Sequence, residues 1–443
     1  MKNEGKNPKS KSPGRIAPGP AVKTESSYRK TVLPNGVRVI SEEIPTVRSV
    51  SVGIWIDTGS RDETETNNGI SHFVEHMVFK GTKRRSVREI AQSIESLGGY
   101  LNAFTGKEHT CFYARVLDED TEIAVDVLSD MAIHSTFPEK EIEKERGVVI
   151  EELKNAEDDP DDIIHDYFEK ALFGPHALGF PVIGTEKNLR SFNRKELLEF
   201  RSDRYVPSRM VVAAAGQVRH EQLVELTKRY LDIDSKLPKS SGMRRTVPRA
   251  QKKTLSVLEK PIQQAHVCLG TVGFSINSPQ RYPLLVLNSL LGDGMSSRLF
   301  QNIREKYGFA YSVYSFANMM ADAGTFGAYI GTDINHVDKC IELIWKELEH
   351  LKTNEVPLAE LKRTKSQLKG GMMLNLESIP SRMIRLGSSE LYFGELSSLD
   401  SIIKKIDAVT QDDLRAVATS LFREEKFSSI IFKPTNHRTP TVH

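Results

Sequence analysis

The sequence predicts an α+β protein of two duplicated units, each a mostly antiparallel sheet packed with helices. Three observations carry that expectation. The chain has 443 residues, enough for roughly two to three domains with substantial cores. Apolar segments of strand and helix spacing follow one another in the same order in both halves. Between the halves, Lys236 to Arg249 is polar, basic and punctuated by Pro238, Gly242 and Pro248, as a linker is.

Residues 1–28, rich in Lys, Pro, Gly and Ser, read as a disordered basic tail. The tail lacks the apolar core of a secretory signal, and its lysines, Glu4 and Glu25 fit a mitochondrial presequence poorly. The first unit spans residues 29–235. It opens with a hairpin signal, Val32-Leu33-Pro34-Asn35-Gly36-Val37, and then Val50, Val52, Ile54 and Ile56 alternate as in a half-buried strand. A helix around His72 comes next. Thr110 to Val116 reads as a strand, Ile123, Val127, Leu128 and Met131 mark an amphipathic helix, and Pro138 opens another helix through Glu152. After the linker, residues 250–443 repeat the order. Ala265, Val267 and Leu269 alternate, Pro283 to Leu287 stands where the His72 helix stood, and Gly324 to Ile330 reads as a strand. A helix with Val337, Cys340, Ile341, Ile344 and Leu348 follows, and Pro357 opens its successor.

Composition removes several classes. A formal net charge of +2 argues against a dedicated nucleic-acid binder. Cys111, Cys268 and Cys340 form no C-x-x-C pair, so they suit neither a disulfide framework nor a thiolate metal site and fit a reducing compartment. No apolar run approaches the roughly 20 residues that span a bilayer.

The chemistry sits in His72-Phe73-Val74-Glu75-His76. Residues four apart share a helix face, so His72 and His76 can each give a ring nitrogen to one ion, with Glu75 beside that face. A zinc ion held by neutral histidines activates water, and a carboxylate off the metal can take the proton. The order inverts the H-E-x-x-H arrangement. The second half has no histidine in Pro283 to Leu291, and Lys362, Arg363 and Lys365 stand where the first half carries glutamates, so only the first unit can hold the metal.

A catalytic zinc site generally has three protein ligands and an open position. Glu145 and Glu152 are seven apart and share a face, while Glu151 points roughly 100° away from Glu152. Glu152 is therefore the preferred ligand, and Glu145 the carboxylate that orients a histidine or tunes the water.

Together with Gly69 to Met77, the chain carries Lys80-Gly81-Thr82, Leu101-Asn102-Ala103-Phe104-Thr105, Glu108-His109-Thr110, the Glu145 to Glu152 segment with Asp159-Pro160, His176 to Gly179 and Gly184-Thr185. Its second half carries Ser296 to Phe300 and Arg304 to Val313. This set resembles the pitrilysin-type metallopeptidases, in the short-chain branch similar to the mitochondrial processing peptidase β-subunit and its bacterial relatives. The resemblance covers nearly everything after the tail.

The resemblance implies two half-shells facing each other across a chamber, one zinc ion per chain held by His72, His76 and Glu152, Glu75 as general base and Glu145 as an auxiliary carboxylate. It also implies that Arg304 and Tyr311 reach the substrate backbone from the second unit. Asn102, Ala103 and Phe104 match an edge strand on which an extended substrate adds as a further strand. The implied activity is endopeptidase cleavage of oligopeptides or unfolded segments. The implied assembly is a homodimer, with a heterodimer of related subunits as the alternative, and a bacterial-type cytoplasmic setting fits better than the mitochondrial matrix. Two other readings are a non-catalytic structural or peptide-binding relative and a catalytic subunit that needs a separate partner. The full set His72, Glu75, His76 and Glu152 argues against the structural one, while an assay is what separates a peptide binder from a slow peptidase.

Overall fold

The computed structural model describes residues 27–231, 245–249 and 251–435. Residues 1–26 of the expected tail and most of the expected linker lie outside the described residues; the first strand begins at Ser27, inside the range read as tail.

The first sheet contains β1 (Ser27–Val32), β2 (Arg38–Glu43), β3 (Ser49–Ile56), β4 (Tyr100–Thr105), β5 (Thr110–Leu117) and β6 (Met210–Gly216), in the order β1-β2-β6-β3-β5-β4. The second contains β7 (Leu255–Lys260), β8 (Ala265–Val272), β9 (Ala310–Met319), β10 (Gly324–Thr332) and β11 (Ser428–Pro434), in the order β7-β11-β8-β10-β9. Without β1 the two orders superimpose strand for strand. Even the odd pairing repeats, since β2 runs parallel to β6 and β7 parallel to β11 while every other pair is antiparallel. The duplication read from apolar spacing is thus a duplication of topology.

Local chemistry places the elements where the sequence predicts them. Gly36 takes a φ of 99° in the β1–β2 turn, and the Asn35 side chain accepts a hydrogen bond from the Val37 N–H at 3.1 Å. The helix after Pro138 runs Glu139–Asp158, with the proline at its N-terminal boundary.

One expectation needs correction. The alternation in residues 50–56 predicts a half-buried strand, yet β3 is buried from Val50 through Ile56. The reason is an exchange of helices between the halves. Each sheet packs one face on its own helices, while its other face receives a helix from the opposite half. Helix Ile379–Phe393 lays Ile379, Met383 and Leu386 on Ile40, Trp55, Val211 and Ala213 of the first sheet. Helix Pro160–Phe173 lays Ile164, Phe168 and Leu172 on Cys268, Tyr329, Ile430 and Phe432 of the second. Small residues permit the approach: a Cβ on Gly387 would stand 2.1 Å from Trp55, and one on Gly53 would stand 2.6 Å from the Met383 sulfur. Among the described residues no helix is long and apolar enough to cross a membrane.

Candidate metal centre

Helix Ile70–Val78 buries Ile70, Phe73, Val74, Met77 and Val78, which leaves His72, Glu75 and His76 on its half-buried side. Its first residue follows Gly69, whose φ is 98° and whose position admits no side chain, because a Cβ there would lie 2.8 Å from the Gly184 Cα. Helix Glu139–Asp158 packs against it through Ile142, Val149, Ile150 and Leu153 and presents Glu145 and Glu152 to the histidines.

Three side chains converge. Glu152 Oε1 stands 3.7 Å from His72 Nε2, and its Oε2 stands 3.4 Å from His76 Nε2. Among the described residues this is the one group of His, Cys, Asp or Glu whose three ligand atoms lie within 4.8 Å of one another. Two ligands held about 2.1 Å from a tetrahedral ion stand about 3.4 Å apart, so the spacing fits zinc. Glu151 turns away, exposed and paired with Lys154 at 2.7 Å. The other nitrogen of His76 is committed: Nδ1 lies 2.9 Å from Glu145 Oε1, which fixes the ring and turns Nε2 towards Glu152, where it could ligate an ion. Glu145 also takes Lys80 Nζ at 2.7 Å.

The charges divide unevenly. Burial and the neighbouring His76 push His72 down to about 4. Burial acts on His76 in the same sense, but Glu145 and Glu152 outweigh it and carry that ring up to about 9. Glu152 is held below the usual carboxylate range by the His76 hydrogen bond, and Glu145 is held low because His76 and Lys80 overcome its burial. Glu75 moves the other way. Burial raises it, against a hydrogen bond donated by Thr105 Oγ1 at 2.5 Å from the end of β4. A carboxylate so placed is a stronger base than one in water.

The remaining predicted residues fall in two places. Asn102, Ala103 and Phe104 lie on β4, the outer strand of the sheet on that side. The Asn102 side-chain oxygen Oδ1 accepts the Ala103 N–H at 2.8 Å, while Phe104 meets Trp55 edge-on at 5.4 Å. Arg304 and Tyr311 stand together, the guanidinium 5.4 Å from the ring centroid and the Tyr311 side chain 76 % exposed on β9. Among the described residues no hydrogen bond or ion pair joins either one to His72, His76 or Glu152. Sequence reasoning missed two groups. Lys80 follows His76 by four, which was a usable signal; Thr105 reaches Glu75 from a strand 30 residues away and left none.

Residues 38–186 match the model for the insulinase family, peptidase family M16, and residues 191–368 match the peptidase M16 inactive domain. The uncharacterized zinc protease YmxG of Bacillus subtilis is 46% identical over 90% of this chain and 96% of its own length. The chain belongs to peptidase family M16. An uncharacterized zinc protease of Streptomyces coelicolor is 41% identical over 94% of this chain and 92% of that protein. In fold, this M16 chain superimposes on a protease from Helicobacter pylori with a TM-score of 0.84 at 23% identity, over 92% of this chain and 100% of that one. A peptidase M16 inactive domain from Pseudomonas fluorescens gives 0.86 at 20% identity, over 94% and 100%.

Proposed function

We propose that this M16 chain is a zinc-dependent endopeptidase that cleaves oligopeptides or unfolded polypeptide segments. The observation that carries the reading is the convergence of His72, His76 and Glu152 with the half-buried Glu75 beside them. Zinc held by those three residues would supply Lewis acidity, polarising the scissile carbonyl and acidifying the attacking water. Glu75 takes the water's proton and delivers it to the departing amine, with Thr105 holding the carboxylate in place. Glu145 and Lys80 fix the His76 ring. An extended substrate adds to β4 at Ala103 once the Asn102 side chain releases that N–H. Arg304 and Tyr311 hold the substrate backbone from the second half, whose residues 29–235 counterpart holds the metal; the exposure of Tyr311 supports that role. One ion per chain and a homodimer belong to the same reading, as does a bacterial cytoplasmic setting, which the bacterial relatives and the three buried free cysteines support.

The test is hydrolysis of a mixed library of unstructured peptides by the purified chain alone, followed by mass spectrometry with and without a zinc chelator. Chelator-sensitive cleavage that disappears in Glu75→Gln is the expected outcome. Absence of cleavage with zinc bound would replace the reading with a binding role or an obligatory partner subunit.

A further inference from the structure

Three consecutive residues ahead of the metal helix each hold a different part of the molecule. Glu63 is 4% exposed and serves the helix itself: its Oε2 accepts the Gly69 N–H at 2.8 Å and Asn68 Nδ2 at 2.9 Å, and its Oε1 accepts the Ser71 N–H at 2.8 Å. Gly69 has no side chain with which to cap the helix, so the capping carboxylate comes from another segment. Asp62, the residue before, takes Arg245 at 3.1 and 2.8 Å, from the stretch that leads towards the second half. Arg61 reaches the second half directly. Its Nη2 lies 2.5 Å from Asp322 Oδ1, an ion pair in the β9–β10 turn, and also donates to the Thr246 carbonyl at 2.8 Å. Its Nη1 donates to Glu108 Oε1 at 2.6 Å, and Glu108 Oε2 in turn accepts the Ala321 N–H at 2.9 Å. The Arg61 and Glu108 side chains are 1% and 2% exposed, so this junction is nearly dry.

Buried charges paired in this way, with both Arg61 terminal nitrogens engaged, define one geometry and tolerate little displacement. The backbone between Arg61 and Glu63 is itself pinned, with Arg61 N–H on the Lys107 carbonyl at 2.8 Å and Asp62 N–H on the Gly59 carbonyl at 2.9 Å. A shift of the Asp322 turn therefore moves Arg61, and the same short rigid segment carries Glu63. Close backbone contact between Gly69 and Gly184 leaves the helix start no slack.

We propose that Glu63 is a positioning residue for the metal helix and that Arg61 makes its position depend on how the second half is seated. The metal site of one half is then completed only when the other half is in place. This inference rests on the reading of His72, His76 and Glu152 as metal ligands.

The experiment is cobalt(II) titration of the full chain, read by the visible absorption of the bound ion, alongside kcat and KM on a cleaved peptide. Glu63→Gln removes the charge and one acceptor; it should weaken cobalt binding about tenfold, as other groups that orient ligands do, and lower kcat with KM nearly unchanged. Asp322→Asn sits at a side chain 28% exposed and far in sequence from the ligands. It should change the cobalt spectrum and kcat in the same direction, by less. Wild-type spectra, affinity and kcat in Glu63→Gln would overturn the positioning role, and an effect in Glu63→Gln with none in Asp322→Asn would overturn the coupling. If Glu63→Gln does not fold, Asp322→Asn alone still decides the coupling. A wild-type chain that takes no cobalt, or takes it equally well as His76→Ala, would instead remove the metal reading on which the inference stands.

Discussion

Uptake of zinc at neutral pH should expel one proton, and it should come from His76. In the metal-free chain His76 sits at about 9 and His72 at about 4, so at pH 7 the first ring is charged and the second is not. An ion accepts only a neutral imidazole. The raised value also stabilises the metal-free fold: that contribution is complete below the ordinary 6.5 and disappears as pH rises through about 9. Metal binding opposes it. At pH 7 the protonated ring costs about 3 kcal/mol of binding relative to a neutral one, and apparent affinity should climb about tenfold per pH unit until the ring titrates. Calorimetric titration of zinc into the chelator-treated chain, in buffers of different ionisation enthalpy, measures the proton directly. The slope of heat against ionisation enthalpy should be near one proton at pH 7 and fall towards zero above pH 9. A slope near zero at pH 7 would refute the assignment of a charged His76 held by Glu145 and Glu152.

Other substitutions test separate parts of the site. Thr105→Val removes the hydrogen bond that keeps the Glu75 carboxylate from rising further, so the acid limb of the pH–rate profile should move to higher pH; an unmoved limb would disconnect Thr105 from the base. Glu152→Ala should lose zinc at a chelator concentration that Glu151→Ala survives, as elemental analysis would show, and the reverse order would exchange the two glutamates' roles. Arg304→Ala and Tyr311→Phe should lower kcat/KM while zinc content stays constant, whereas unchanged peptide hydrolysis would remove the second half from substrate binding. Phe168→Ala, fully buried between helix Pro160–Phe173 and the second sheet, should cost about 3–5 kcal/mol in chemical denaturation; a loss below about 1 kcal/mol would mean that this contact does little to hold the halves together.

Much of this was legible because it is periodic. Glu152 separates from Glu151 on the 3.6-residue repeat alone, and the structure points the first at the histidines and the second at Lys154. The His72–His76 pair, and the strands and helices read from apolar spacing in each half, follow in the same way, whereas helices Pro160–Phe173 and Ile379–Phe393 were not read. What spacing cannot report is contact between distant segments. Val50 to Ile56 alternate as though one face met water, and nothing within them announces that residues 379–393 cover the other face. A fainter sign lay in size: Gly53 and Gly387 leave the room in which Met383 and Trp55 sit. Glu63 was silent for a related reason, since it caps a helix from eight residues ahead of Ser71 and matches no local capping pattern.

The exchanged helices bear on the order in which the chain is finished during synthesis. When residue 231 has emerged, the first sheet has all six strands, but Ile40, Trp55, Val211 and Ala213 still await a cover encoded at residues 379–393. Helix Pro160–Phe173 meanwhile has no sheet to lie on until β11 closes the second one at residues 428–434. The half that carries His72 and His76 therefore waits, with an apolar face open, for nearly the whole chain. A half without histidines in its counterpart helix is consequently not spare: it supplies a wall of the first half's core, and deleting it would leave that half unfinished.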